Sequence, residues 1–281
     1  MRVYDGHIHL GMPGESKKNF MASASHAGLS GSMMISPEPG SMEEDGCFMP
    51  WQRRLDMVLK WSSEVAGVIP FFWINPMEKD ADKQVETAVR EGAAGFKAIC
   101  TGYPPGGDRA MRIWKQIAEA GKPLLFHTGI LVGTGNSEYC RPLHYEPLLL
   151  IPGLRLCMAH VSWPWCDECI GMFAKWNNCR MQGSITSQLY LDTTPGATGI
   201  CRQELLAKLY GCSLPVEDKL IFGTDLRNRY DEKKAESYIL TDQKILEKLR
   251  IGKDLQERYF SKNLLDFVET IPKESGRNFG I

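Results

Sequence analysis

Apolar positions fall in short runs that alternate with longer amphipathic stretches along the whole chain. The runs from Arg2 (RVYDGHIHL), Gly31 (GSMMIS), Val68 (VIPFFWIN) and Ala94 (AGFKAI) read as strands. So do those from Lys122 (KPLLFH), Leu154 (LRLCMAH), Gln188 (QLYLD) and Lys219 (KLIFGTD). Residues 51–65, 80–90, 109–120, 202–210 and 232–250 place apolar side chains at helical spacing, and a last helix is expected over 255–268. Each strand-to-strand step has room for a strand, a crossover helix and two short loops. Residues 37–50 are rich in Gly, Pro, Ser and acid and read as a long loop after the second strand, placed to act as a lid.

Eight alternating units predict a single-domain (β/α)8 TIM barrel over residues 1–281. The competing doubly wound sheet usually carries a glycine-rich phosphate turn after its first strand. Gly11-Met12-Pro13-Gly14 does not fit that fingerprint.

Composition narrows the partners. Lys plus Arg number 33 and Asp plus Glu 34, for a formal net charge of −1, so no overall basic field for nucleic acid is expected. No apolar run approaches the roughly 20 residues of a membrane span. The first residues read as strand rather than signal peptide, so a cytoplasmic location with reduced thiols is expected. The nine Cys, an odd number, do not suit a disulfide framework.

The six His change the picture most. The first strand ends Asp5-Gly6-His7-Ile8-His9. Alternation turns His7 and His9 to one face, where two imidazoles can chelate one ion, and puts Asp5 on that face one layer deeper. His127 ends the fifth strand, His160 the sixth and Asp225 the eighth, while Lys97 lies in the fourth. Barrel active sites lie at this C-terminal end of the strands. His26 and His144 read as bystanders.

These elements resemble the amidohydrolase superfamily. The match rests on DxHxH at Asp5–His9 with Lys97, His127, His160 and Asp225. More narrowly, the sequence is similar to the compact group of aminocarboxymuconate-semialdehyde decarboxylase relatives. His127-Thr128-Gly129, Trp163-Pro164-Trp165 after His160, Phe222-Gly223-Thr224-Asp225 and Ser261-Lys262-Asn263-Leu264-Leu265 carry that likeness. The resemblance implies a metal shell of His7, His9, His127 and Asp225, with His160 as a ligand of a second ion or a substrate contact. The implied cofactor is a divalent metal, zinc first, with one ion firmly bound and a second conceivable. Lys97 would bridge two ions if carbamylated, or meet an anionic substrate as a free amine. The implied chemistry is attack of activated water on an amide, ester or lactone of a small, carboxylate-bearing molecule, with Asp225 moving protons and His160 steadying the oxyanion. Non-oxidative decarboxylation is the runner-up, and a catalytically silent binding barrel is the alternative of another class. The expected partner is a small molecule rather than nucleic acid or membrane, and relatives often form homodimers.

Arg141, Arg227, Arg229, Tyr103 and Tyr230 follow strand ends and are candidates to grip a carboxylate. The motif Cys166-Asp167-Glu168-Cys169, flanked by Cys157 and Cys179, allows a thiolate metal site or a redox pair. Buried or free reduced cysteines are the preferred reading. Cys157 differs in parity from His160 and is therefore expected to face the helices.

Overall fold

A computed structural model describes residues 1–11, 16–133 and 135–268. All eight expected strands are present. They are β1 (Tyr4–His9), β2 (Gly31–Ile35), β3 (Val68–Trp73), β4 (Gly95–Ala98), β5 (Leu124–Phe126), β6 (Arg155–Met158), β7 (Gln188–Asp192) and β8 (Leu220–Ile221), with a short β9 (Leu226–Arg227). Every pairing is parallel, in the order β8-β7-β6-β5-β4-β3-β2-β1-β9. Although β8 and β9 stand at opposite ends of this order, only residues 222–225 separate them. The Gly6 amide donates to the Phe222 carbonyl at 2.9 Å, and the Asp225 amide donates to the His7 carbonyl at 2.9 Å. The sheet therefore closes on itself as the TIM barrel the alternation predicted, with an eighth strand interrupted over residues 222–225.

The helices follow their apolar spacing. In α3 (Ala81–Glu91), Ala81, Val85 and Ala88 are buried, and Gly92 ends the helix at φ 101°, the left-handed cap that glycine adopts at least cost. In α4 (Asp108–Glu119), Ala110, Ile113, Trp114 and Ile117 form the buried face. The remaining long helices are α1 (Lys17–His26), α2 (Trp51–Glu64), α5 (Cys166–Met181), α6 (Ile200–Gly211) and α7 (Glu232–Lys248). None among the described residues is long and apolar enough to cross a membrane.

The closing helix expected over 255–268 is divided. α8 (Lys253–Glu257) and α9 (Asn263–Val268) flank a π-turn at Arg258–Lys262. A π-turn leaves a carbonyl without its usual partner, and here the Tyr259 carbonyl accepts the Phe222 amide at 3.2 Å.

Strand parity divides the core in two. Phe96, Leu124, Phe126, Leu156, Met158, Leu189 and Leu191 pack outward against the helices. Met33, Ile35, Phe71, Leu125, Cys157, Tyr190 and Ile221 fill the barrel, with Leu264 and Phe267 of α9 among them. The Phe267 ring lies 5.1 Å from Tyr190.

Two parity expectations fail, each because a strand leaves regular alternation. Cys157 faces the barrel interior rather than the helices. His160 is not on the alternation of β6. It sits in a turn at Ala159–Ser162 where His160, Val161 and Ser162 all have positive φ (61°, 43° and 55°), and that turn swings its ring back inward. Asp5 is the second case. The β1–β2 register slips between Asp5 and Ile8, which marks a bulge. It turns Asp5 outward, where it accepts the Tyr230 hydroxyl at 2.9 Å from the layer beneath α1 and α2.

Candidate active site

The strand ends bring six predicted residues to one mouth of the barrel. His7 Nε2 lies 3.1 Å from His9 Nε2, and Asp225 Oδ1 lies 3.5 Å from the former and 3.2 Å from the latter. Among the described residues, these three form the set of metal-type donors whose ligand atoms all fall within 4.8 Å of one another. Lys97 Nζ is 3.4 Å from His7 Nε2. The His160 ring stacks 5.5 Å from His7, and its Nε2 lies 3.2 Å from His127 Nδ1. His127 stands outside the three-residue set, with its Nε2 buried and without a partner.

Burial sets the charge states here. It holds the His7 and His127 imidazoles well below their ordinary pKa, and it brings His160 down to about 4 against the pull of Asp225. Three neutral imidazoles keep lone pairs available for an ion. Lys97 is pushed down to about 8 by burial, against the attraction of Asp225 and Asp192. For Asp225, burial acts upward, but the hydrogen bond with His9 acts against it, and the carboxyl is held well below the usual range. Asp225 itself sits at φ 56°, the left-handed region that aspartate tolerates better than most residues.

Two residues of the site escaped sequence reasoning. Asp192, at the end of β7, places Oδ2 2.6 Å from His7 Nδ1, and its Oδ1 accepts the Thr194 amide at 2.6 Å. Thr194 Oγ1 lies 2.8 Å from His160 Nδ1. Asp192 carried the same signal as Asp225, an ionisable residue at the end of an apolar strand (QLYLD). Asp5 joins the site from outside the barrel. It accepts the Thr224 amide and hydroxyl and the His7 amide, tying β1 to the segment that carries Asp225. Burial raises its carboxyl to about 6 against these hydrogen bonds.

The mouth opens into a cavity of about 500 Å³ lined by His9, Ser36, Glu38, Trp73, Asp225 and Arg227, among others. Pro37, Glu38, Gly40, Ser41 and Met42 of the expected lid contribute to its wall. Of the predicted carboxylate-binding residues, Arg227 reaches this cavity. Arg229 lines a separate cavity with Asn19, Phe20 and Ser23. Arg141 pairs with Glu168 at 2.6 Å beside Trp165. Tyr103 is buried in the helix-side core and donates to the Ile99 carbonyl at 3.1 Å. Tyr230 does grip a carboxylate, but it is that of Asp5. Both are drawn away because burial rewards a phenol that finds an internal acceptor.

The CxxC opens α5, where burial pushes the Cys166 thiol up to about 11 and Cys169 to about 12. Neither thiol is activated, which fits the reduced-cysteine reading over a redox pair.

A model of the family described as Amidohydrolase matches residues 4–263, and the chain belongs to that family. No curated protein sequence matches it. Among solved structures, the chain is similar to a TIM-barrel protein of Bordetella bronchiseptica, at 16% identity and a TM-score of 0.68 over 95% of this chain and 99% of that one. It is also similar to a probable 2-pyrone-4,6-dicarboxylic acid hydrolase of Acinetobacter baumannii, at 12% identity and a TM-score of 0.64 over 95% and 99%. A third is the 2,6-dihydroxybenzoate decarboxylase of Rhizobium, at 10% identity and a TM-score of 0.66 over 95% and 99%. At these identities the likeness establishes the fold.

Proposed function

We infer that the chain is a metal-dependent hydrolase acting on an amide, ester or lactone of a small, carboxylate-bearing molecule. The observation that carries this reading is the convergence of His7 Nε2, His9 Nε2 and Asp225 Oδ1 at the C-terminal mouth of the barrel. The donor set fits a divalent ion such as zinc, since it combines two imidazole nitrogens with one carboxylate oxygen. The orphaned Nε2 of His127 fits a fourth contact. When bound, such an ion supplies Lewis acidity, polarising a carbonyl and bringing the pKa of water towards neutrality.

The chain's own residues do the rest. Asp225 stays ionised and takes a proton from the attacking water on its carboxylate, then returns it to the leaving group. His160, neutral and hydrogen-bonded to Thr194, exchanges its contact with His127 for the developing oxyanion. Arg227, in the wall of the mouth cavity, meets a substrate carboxylate. Lys97 either faces an anionic group as an amine or, carbamylated, holds a second ion.

The test combines elemental analysis of purified protein with a panel of lactones, amides and aromatic carboxylic acids. Zinc at one equivalent, lost in His7→Ala, with hydrolysis lost in Asp225→Asn, is the expected result. Carbon dioxide release from a carboxylic acid without hydrolysis would transfer the site to decarboxylation. Metal without turnover in any class would make it a binding module.

A further inference from the structure

The geometry points to Asp192 as a positioning residue that selects which nitrogen of His7 faces the mouth of the barrel. Its consequence for metal rests on the function proposed above, but the selection itself does not. A neutral imidazole carries one N–H and one lone pair. His7 Nδ1 lies 2.6 Å from Asp192 Oδ2, and a carboxylate oxygen accepts. The two side chains are 0% and 1% exposed, so no solvent competes for either atom. The proton of His7 therefore sits on Nδ1, and its lone pair on Nε2.

The groups around Nε2 agree. Lys97 Nζ, 3.4 Å away, offers protons to it. The acceptor there, Asp225 Oδ1, stands at 3.5 Å and is closer to His9 at 3.2 Å.

Asp192 is itself aimed. Its Oδ1 accepts the Thr194 backbone amide, which leaves Oδ2 for His7. Thr193 between them faces the other way. Its amide and hydroxyl donate to the Ile221 carbonyl, and its carbonyl accepts the buried Arg202 guanidinium. The end of β7 thus supplies none of the three converging donors yet fixes the imidazole that supplies one. Such outer partners commonly orient metal-binding histidines.

The pinning by Thr194 makes Asp192→Asn an unusually pointed substitution. Only the amide oxygen of the new side chain can accept the Thr194 N–H, so its NH2 group is turned to His7 Nδ1. Two donors cannot face each other, and the His7 proton must move to Nε2, where it occupies the lone pair an ion would use. Size and shape barely change, so a role in packing alone predicts no tautomer exchange.

Long-range proton–nitrogen NMR on metal-free protein with 15N-labelled histidine reads this directly. The native protein is expected to show His7 as the Nδ1–H tautomer, Asp192→Asn as the Nε2–H tautomer, and Thr194→Val, which keeps its backbone amide, as native at His7. Zinc affinity, measured by competition with a chromogenic chelator, should fall about 10- to 100-fold in Asp192→Asn. An Nε2–H tautomer in the native protein overturns the proposal even if the variant does not fold, and so does an unchanged tautomer in a folded variant. A switched tautomer with native zinc affinity overturns the link to metal. A native Nδ1–H tautomer in a protein that binds no zinc overturns the proposed function and leaves the role of Asp192 standing.

Discussion

The Tyr259 hydroxyl donates to Asp242 Oδ2 at 2.6 Å, sits 2.7 Å from Thr193 Oγ1 and accepts from Arg202 Nη2 at 3.1 Å. Arg202 and Asp242 form a buried ion pair between α6 and α7, and such a pair is sound only while all its hydrogen bonds are satisfied. Tyr259→Phe should lower stability by about 1–3 kcal/mol, because it strips a partner from three buried polar groups at once. Arg202→Met should cost more, about 3–5 kcal/mol, because it leaves the Asp242 carboxylate buried and uncompensated. Urea unfolding of both variants checks the order, and an Arg202→Met change smaller than that of Tyr259→Phe would contradict it. At the site, removal of one hydrogen bond to a charged group is worth about 1.5–3 kcal/mol, so Arg227→Met should raise KM roughly 10- to 100-fold for a carboxylate substrate. A fall in kcat at constant KM would place Arg227 in another role.

Element geometry explains why two glycines are tied to the site. A Cβ on Gly6 would stand 2.6 Å from Ile221 Cγ2 and 2.8 Å from the Phe222 carbonyl, at the seam where β1 meets β8. Gly6→Ala should therefore cost about 1–3 kcal/mol by overpacking and also weaken zinc binding, since the seam sets the spacing of His7 and Asp225. Gly129 has φ 106°, and a Cβ there would come 2.4 Å from the Trp163 carbonyl, beside the turn that presents His160. Gly129→Ala should lower the melting temperature and distort that turn, visible as a changed His160 environment by NMR. The strands themselves were legible in the sequence because apolar runs at regular steps leave few alternatives. His7, His9, Lys97 and Asp225 were legible because alternation and strand ends fix where side chains go. Asp5, Cys157 and the route by which His160 arrives were not. A bulge in β1, signalled only by Gly6, and a left-handed turn after β6, built from residues other than glycine, reset the parity. The end of β7 was missed differently, since Asp192 carried the same strand-end signal as Asp225 but belongs to no motif of the resembled family.

Across the whole molecule, a bound ion should act as a ligand of the native state. An ion at 100 times its dissociation constant stabilises that state by about 2.7 kcal/mol. For a chain of this length, that is a rise in melting temperature of several degrees, at about 2–4 °C per kcal/mol. Chelator should lower the melting temperature, zinc should restore it, and His9→Ala should abolish the response. Equal responses in both proteins would place the stabilising ion elsewhere. The broken eighth strand has a kinetic consequence as well. His7 and Asp225 are brought together by the pairing that joins the two ends of the sheet, across more than 200 residues. Loop-closure entropy makes contacts of such high sequence separation slow to form. Assembly of the proposed ion site is thus a report that the ring has closed. A chain ending after β7 would keep seven of the eight strand positions and both N-terminal histidines, yet hold no competent site.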